Sequence, residues 1–219
     1  MSQVVCNLIS NLLAVGRFQW QAVYIDRVLK SIVSNFPELK VVMEHITTKD
    51  AVDFVRTRAA EAPGRIGATI TAHHLVINRT DIFRGGIRPH LYCMPIAKRE
   101  VHRLALREAA TSGEAPFFLG TDTAPHAKTA KETRCGCAGI FTAPTALEIY
   151  TQVFDEEGAL DKLEAFASLN GPAFYGLEVN EAMVKLQRTG TIFPETVNTS
   201  DGDLLHVFGA GETVAWQVT

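Results

Sequence analysis

Two residues able to do chemistry, Asp122 and His126, follow the short apolar run Phe117-Phe118-Leu119-Gly120-Thr121. The run predicts a buried strand that delivers the carboxylate to its carboxyl end, where parallel α/β proteins place their active sites. A carboxylate there can ligate a metal ion or accept a proton from a metal-bound water. The same spacing suits an aspartate that caps the following turn, so the residues alone leave both interpretations open.

Three further histidines follow apolar runs. His45 ends the run Lys40-Val41-Val42-Met43-Glu44, where an imidazole can ligate zinc. A core histidine hydrogen-bonded to a neighbour has the same pattern, and that alternative stays open. His73 and His74 follow the run at 66–71. Adjacent side chains on an extended segment point to opposite faces, so we expect structural or loop roles for this pair rather than one shared ion.

The segment beyond Asp122 carries the scattered cations Lys128, Lys131 and Arg134. They could attract an anionic substrate, although a solvated charged loop gives the same pattern. Cys135-Gly136-Cys137 resembles half of a metal clamp. Because no second Cys/His pair has zinc-site spacing, we interpret it as a tight turn.

Strand-like and helix-like segments that could position these residues alternate from about residue 21. Apolar runs predict strands at 40–45, 66–71 and 117–121. Helical spacing of apolar residues joins them, in the segments 25–33, 51–55, 101–109, 147–154 and 160–167. This alternation predicts an α/β fold with a parallel sheet of βα units. Residues 1–20 show neither period and receive no role, and short β-like stretches follow about residue 189.

Composition excludes several classes of protein. The 219-residue chain is 47% hydrophobic with a formal net charge of −3, typical of a globular protein. It has no basic run, so we expect no nucleic-acid partner, and no segment apolar enough for a membrane span. The four cysteines are too sparse for a disulfide framework. We expect free thiols in the cytoplasm, or in an organelle matrix.

Several sequence blocks together resemble class II dihydroorotase, a zinc-dependent family of the amidohydrolase superfamily. They occur in the family's order from about residue 21 onward, and they are Glu44–Ala51, Arg88–Cys93, Gly120–His126, Cys135–Gly139 and Asn170–Leu177. The resemblance implies a partial TIM (β/α)8 barrel, made of its last three βα units plus a C-terminal extension. Residues 21–219 would be the C-terminal part of that barrel domain, and 1–20 an unassigned segment.

The resemblance also implies roles for individual residues. His45 matches a metal-binding histidine, and Asp122 matches a metal ligand that is also the catalytic acid/base. His126 matches a histidine that contacts the substrate carboxylate. Met94 and Ala138 match positions whose backbone groups bind substrate, although the family often has leucine where Met94 stands. The implied cofactor is a binuclear zinc centre, and the implied reaction is the reversible cyclisation of N-carbamoyl-L-aspartate to L-dihydroorotate in pyrimidine biosynthesis.

The chain also departs from the family pattern. It contains no His-x-His pair, and no histidine precedes His45. Of the family's six metal ligands, two have a match here, namely His45 and Asp122. We therefore expect no turnover by the isolated chain. The alternatives are a non-catalytic substrate-binding or scaffold homologue and a fragment that needs a complementing chain. A dihydropyrimidinase or allantoinase fits the motifs less well. A small-molecule substrate is expected, and a homodimer is compatible with the resemblance.

Overall fold

A computed structural model describes residues 3–6 and 19–219. Its centre is a four-stranded sheet in the order β1-β2-β3-β4, and every neighbouring pair runs parallel. The strands are β1 (Gln3–Cys6), β2 (Lys40–Met43), β3 (Ile66–Ile70) and β4 (Phe117–Leu119). The α/β class and the three strands expected from the apolar runs are confirmed.

Strand β1 was not expected, because the sequence assigned no role to residues 1–20. The backbone of Gln3–Cys6 pairs in parallel with β2, Gln3 opposite Lys40 and Cys6 opposite Met43. The sheet therefore has four strands where three were predicted. Four residues are too few to show a strand period, and pairing with β2 is a tertiary event that no local pattern reports.

Helices surround the sheet and follow its strands in βα order. They are α1 (Trp20–Tyr24), α2 (Lys30–Asn35), α3 (Lys49–Glu61), α4 (Ala72–Val76), α5 (Glu100–Thr111), α6 (Lys128–Lys131), α7 (Ala146–Glu156) and α8 (Asn170–Tyr175). Single π-helical turns at Ile25–Leu29 and Ala165–Leu169 join α1 to α2 and lead into α8. Three short 3-10 turns lie at Asp81–Phe83, Pro89–Leu91 and Leu160–Lys162.

The two faces of the sheet are covered differently. On one face lies the larger core, which contains Phe117 of β4 and Tyr150 and Phe154 of α7, all almost fully buried. The Tyr150 hydroxyl donates to the Ile70 carbonyl at the end of β3, 2.7 Å away. Alternation along the strands turns the next residue, Phe118, to the other face.

On that second face Phe118 packs with Val42 and with Phe174 of α8. The sequence suggested that helical structure ends before Asn170-Gly171, and that expectation is wrong. Helix α8 runs through both residues and ends at Gly176, whose φ of 71° is the left-handed conformation that glycine adopts most readily. This extra turn of helix covers the small apolar cluster.

The segment after residue 185 consists of three short antiparallel pairs, which confirms the expected β-like stretches. They are β5 (Leu186–Gln187) with β10 (Gln217–Val218), β6 (Thr191–Ile192) with β9 (Thr213–Val214), and β7 (Thr196–Asn198) with β8 (Leu204–His206). Single bridges join this region to the loop after β4, between Ala127 and Leu205 and between Phe141 and Val207. The extension therefore supports the loop that carries Asp122 and His126.

Within the described part of the chain, none of the helices has the length and apolar character needed to cross a membrane.

Candidate metal and substrate site

His45 and Asp122 follow strands β2 and β4, and the intervening strand β3 connects them. The Thr69 hydroxyl accepts a hydrogen bond from the His45 backbone N–H at 2.6 Å, and the Thr69 carbonyl accepts from Ile46 N–H at 3.0 Å. From the other side, Gly120 lies directly against Thr69. A Cβ at Gly120 would stand 2.5 Å from the Thr69 Cβ, which no side chain could tolerate without a shift. Thr69 therefore sets the relative positions of both strand ends.

The backbone at both candidate ligands is in a conformation that non-glycine residues rarely adopt. His45 has a φ of 40° and Asp122 a φ of 44°. Such left-handed positions cost free energy for residues with a Cβ, and they persist at functional sites where the surrounding structure enforces them. Two of the three non-glycine residues with positive φ in the described part of the chain are thus the residues singled out from the sequence.

The electrostatics of the two residues are linked. Partial desolvation raises the pKa of the Asp122 carboxyl, His45 opposes that rise, and the negative charge of Glu44 adds to it. His45 is buried, and its Nδ1 atom has no hydrogen-bond partner among the described residues. A buried imidazole nitrogen without a partner, close to a carboxylate, suits a zinc ligand set of nitrogen and oxygen donors.

The loop segments that carry Met94, His126 and Ala138 are joined to one another. His126 Nε2 donates to the Ala138 carbonyl at 3.1 Å, because a carbonyl oxygen can only accept. Gly139 N–H donates to the Tyr92 carbonyl at 3.0 Å, which brings the chain before Met94 against the chain after Ala138. The three residues predicted to bind substrate therefore belong to one connected set of loops.

Lys131 holds these loops together, and this role was missed by the sequence analysis. The residue is 3% exposed, and its ammonium group donates to the carbonyls of Tyr92, Cys137 and Gly139 at 2.9, 2.7 and 2.7 Å. For Lys131 the interpretation as part of a solvated charged loop is wrong. Its ammonium group is hydrogen-bonded to backbone carbonyls, whereas Lys128 and Arg134 keep substantial solvent exposure.

The expectation that His73 and His74 lie on an extended segment is also wrong. Both residues are in the short helix α4, where Thr71 caps the helix by accepting from His74 N–H. Their rings are 4.3 Å apart between centroids, and both residues are buried. Burial lowers the pKa of His73 to about 3, with a smaller contribution from His45, so His73 is neutral at physiological pH and lies close to the candidate site.

The cysteines behave as expected in the described part of the chain. Cys93, Cys135 and Cys137 are free thiols. The Cys135-Gly136-Cys137 segment makes a tight change of direction, with φ of 72° at Gly136 and 29° at Cys137. The bend places the Cys137 carbonyl where it accepts a hydrogen bond from the Lys131 ammonium group.

The fold of the chain resembles that of solved structures with little sequence identity to it. D-hydantoinase matches with a TM-score of 0.67 over 82% of this chain at 14% identity, a likeness of fold alone. The L-hydantoinase of Arthrobacter aurescens matches with a TM-score of 0.66 over 90% of the chain at 18% identity. The chain thus shares its α/β fold with these two proteins. No family model matches it.

The sequence comparisons are more specific. A dihydroorotase of Cupriavidus metallidurans is 56% identical over 202 residues, and one of Synechococcus sp. is 57% identical over 204 residues. Among solved structures, the dihydroorotase of Saccharomyces cerevisiae in complex with 5-fluoroorotic acid matches with a TM-score of 0.86 at 28% identity, and that of Campylobacter jejuni with 0.82 at 32%.

The chain is related to dihydroorotases, and it corresponds to their C-terminal portion. The match covers 92% and 93% of this chain but only 57% of the length of either curated relative named above. The coverage of the Saccharomyces cerevisiae structure is similar, at 94% of this chain and 58% of the other. The chain therefore spans little more than half the length of the proteins it matches.

Proposed function

We propose that this chain provides the C-terminal part of a zinc-dependent dihydroorotase, with His45 and Asp122 as metal ligands. The reaction is the reversible cyclisation of N-carbamoyl-L-aspartate to L-dihydroorotate in cytoplasmic pyrimidine biosynthesis. The observation that supports it most strongly is the pair of left-handed backbones at His45 and Asp122, held on either side of Thr69. The relationship to dihydroorotases supplies the reaction class.

His45 Nδ1 and the Asp122 carboxylate would hold the metal, because one lacks a protein partner and the other lies close by at the strand ends. A zinc ion held there would polarise the amide carbonyl and lower the pKa of a water molecule. Asp122 would accept and return a proton, a role that its raised pKa favours, since a catalytic acid/base works best with a pKa nearer to the working pH.

Substrate orientation falls to the connected loops. His126 and the backbone groups of Met94 and Ala138 would contact the anionic end of the substrate. Lys131 fixes the two loop segments that carry those backbone groups, since it bonds to carbonyls on both. Preset binding groups of this kind lower the entropic cost of bringing the reacting atoms together.

We further propose that turnover requires metal ligands beyond those that these 219 residues supply. Catalytic zinc sites take three protein ligands and leave a position open for water, whereas His45 and Asp122 supply two. Strands β1 and β4 are the edges of the described sheet, and an unpaired edge can accept another strand. A complementing fragment with the N-terminal strands of a dihydroorotase would add the missing ligands there.

The test compares the purified chain with the same chain co-expressed with such a fragment. We expect no dihydroorotate formation from N-carbamoyl-L-aspartate by the zinc-supplied chain alone, and measurable formation by the co-purified pair. The variant Asp122→Asn should abolish the activity of the pair while the two chains still co-purify. Turnover by the isolated chain would overturn the requirement for a partner.

Calorimetry with N-carbamoyl-L-aspartate distinguishes the proposed catalytic role from the remaining alternative, a non-catalytic homologue. Binding by the isolated chain, combined with an inactive pair, would favour a substrate-binding or scaffold homologue. In that case the proposal of a catalytic role would be wrong.

A further inference from the structure

His73, His74 and Cys93 form a buried cluster that the proposed reaction does not use. One donor atom from each residue lies within 4.8 Å of the other two. The residues are 0%, 2% and 2% exposed, so solvent does not reach the donors freely. Two come from helix α4 after strand β3, and Cys93 comes from the loop that precedes Met94.

The spacing within the cluster matches a zinc-type coordination sphere. Zinc bonds of about 2.0 Å to nitrogen and 2.3 Å to sulfur at a tetrahedral angle separate the two donors by about 3.5 Å. His74 Nε2 and Cys93 Sγ lie 3.6 Å apart. That separation is compatible with both atoms binding one ion.

His73 supplies the third donor and the strongest indication of a ligand. Both of its ring nitrogens are buried and have no hydrogen-bond partner among the described residues. A buried imidazole without any partner loses its hydrogen bonds to water and gains none in return, which is costly. A metal ion in the cluster would remove that cost at one nitrogen.

Two groups beside the cluster bear on its metal-free and metal-bound states. Without metal, the Pro95 carbonyl accepts from His74 Nε2 at 2.9 Å and from the Cys93 thiol at 3.2 Å, and metal binding would remove both of these donors. In the metal-bound state Cys93 would be a thiolate and His74 the Nδ1–H tautomer, with the thiol proton released as the ion enters. Nδ1 lies 2.7 Å from the Thr71 hydroxyl, which can accept a hydrogen bond from it. A ligand histidine commonly donates its other N–H in this way.

We propose that His73, His74 and Cys93 form a second metal site, separate from His45 and Asp122, which takes a divalent ion of the zinc class. One thiolate with two imidazoles suits zinc, and it excludes magnesium and calcium, which require oxygen donors. Because the three residues lie within this chain, the site does not depend on a complementing chain.

Cobalt(II) is the probe, because it substitutes for zinc and gives a thiolate-to-metal charge-transfer band. The full 219-residue chain should bind one cobalt ion with such a band, and zinc should displace it. Cys93→Ser should eliminate the band. As a matched control, a variant with Cys6, Cys135 and Cys137 all changed to Ser should keep it.

Histidine variants locate the other ligands and distinguish the two sites. The cobalt affinity measured from this band should fall at least tenfold in His73→Gln and in His74→Gln. It should be unchanged in His45→Gln and His102→Gln. A band that survives Cys93→Ser, or that is lost in His45→Gln, would overturn the proposal. Circular dichroism confirms that each variant is folded.

X-ray absorption at the zinc edge tests the wild-type chain without relying on any variant. One sulfur neighbour at the bound zinc is expected in the chain loaded with one equivalent. A coordination sphere of nitrogen and oxygen alone would contradict the assignment. The readout is independent of turnover, so the second site and the proposed function can fail separately.

Discussion

At the scale of single residues, the site depends on side chains that hold loops as well as on those that would hold the metal. Lys131 is almost fully buried and satisfies three carbonyls from two loop segments. Desolvation lowers its pKa to about 8. The position therefore combines a buried charge, three hydrogen bonds and the geometry of the predicted substrate loops.

Replacing Lys131 by Met should lower the free energy of unfolding by about 2–4 kcal/mol, because three buried carbonyls lose a charged donor. Urea denaturation of the chain measures this. Lys128→Met is the matched control, since the Lys128 side chain is partly exposed and forms only a 3.9 Å ion pair with Glu132, and it should change stability by less than about 0.5 kcal/mol.

The pH dependence of the free energy of unfolding, compared between wild type and Lys131→Met, gives a second readout. A lysine whose pKa is about 8 in the folded chain and 10.5 in the unfolded chain holds fewer protons when folded across that interval. Its contribution to stability therefore rises from pH 8 towards 10.5. The stability gap between wild type and Lys131→Met should widen as pH rises, and a constant gap would contradict the prediction.

The sequence singled out some residues of the candidate site and missed the roles of others for a physical reason. Asp122, His45 and His126 were found because polar types at the ends of apolar runs are a local signal. Lys131 and Thr69 were missed because their roles consist of contacts with distant segments, 39 residues away for Lys131 and Tyr92, and 24 residues away for Thr69 and His45. Whether His45, Asp122, Met94, His126 and Ala138 bind metal or substrate stays a prediction.

At the scale of elements, helix α3 is capped at its start by Thr48. The Thr48 hydroxyl accepts from Ala51 N–H at 3.1 Å and donates to Gln21 Oε1 at 2.7 Å. Gln21 also accepts from Thr47 N–H, so α1 is attached to the loop that carries His45. One buried threonine thus caps a helix and joins two elements.

Thr48→Ala should destabilise the chain by about 1–2 kcal/mol, because it removes the cap and leaves buried polar groups without partners. Thermal and urea unfolding measure the loss. Thr57→Ala is a matched control in the same helix. Thr57 is exposed and bonds back to Asp53, so its replacement should be neutral or slightly stabilising. Equal losses in the two variants would contradict the capping role.

Elements whose residues form a clear local pattern, either an apolar run or helical spacing, were predictable, and elements without such a pattern were not. Strands β2, β3 and β4 follow from unbroken apolar runs, and the helices between them from their spacing. Helix α4 has only five residues, so no period develops, and its only local signal is the threonine cap three positions before His74. The helix predicted at 160–167 continues through Asn170 and Gly171, where Asn170 bonds to the Phe117 carbonyl and the following turn packs Phe174 against Phe118.

At the scale of the whole molecule, the sheet leaves β4 hydrogen-bonded to one neighbour, β3, among the described strands. A complementing fragment that extends the sheet would pair with its free edge. Hydrogen exchange should then slow at backbone amides of residues 117–121 when the fragment is added, and it should stay unchanged at the amides of α3. No slowing at 117–121 in a pair that co-purifies would show that the second chain binds elsewhere.

The left-handed backbones at His45 and Asp122 carry a consequence for laboratory evolution. Each costs about 1–3 kcal/mol relative to an unstrained residue, and glycine would relieve that cost without moving the chain. Asp122→Gly should therefore raise the melting temperature while removing one proposed ligand, whereas His45→Gly would also leave a cavity in place of the buried imidazole. A screen that selects for heat resistance alone would therefore favour the loss of Asp122, one of the two proposed metal ligands.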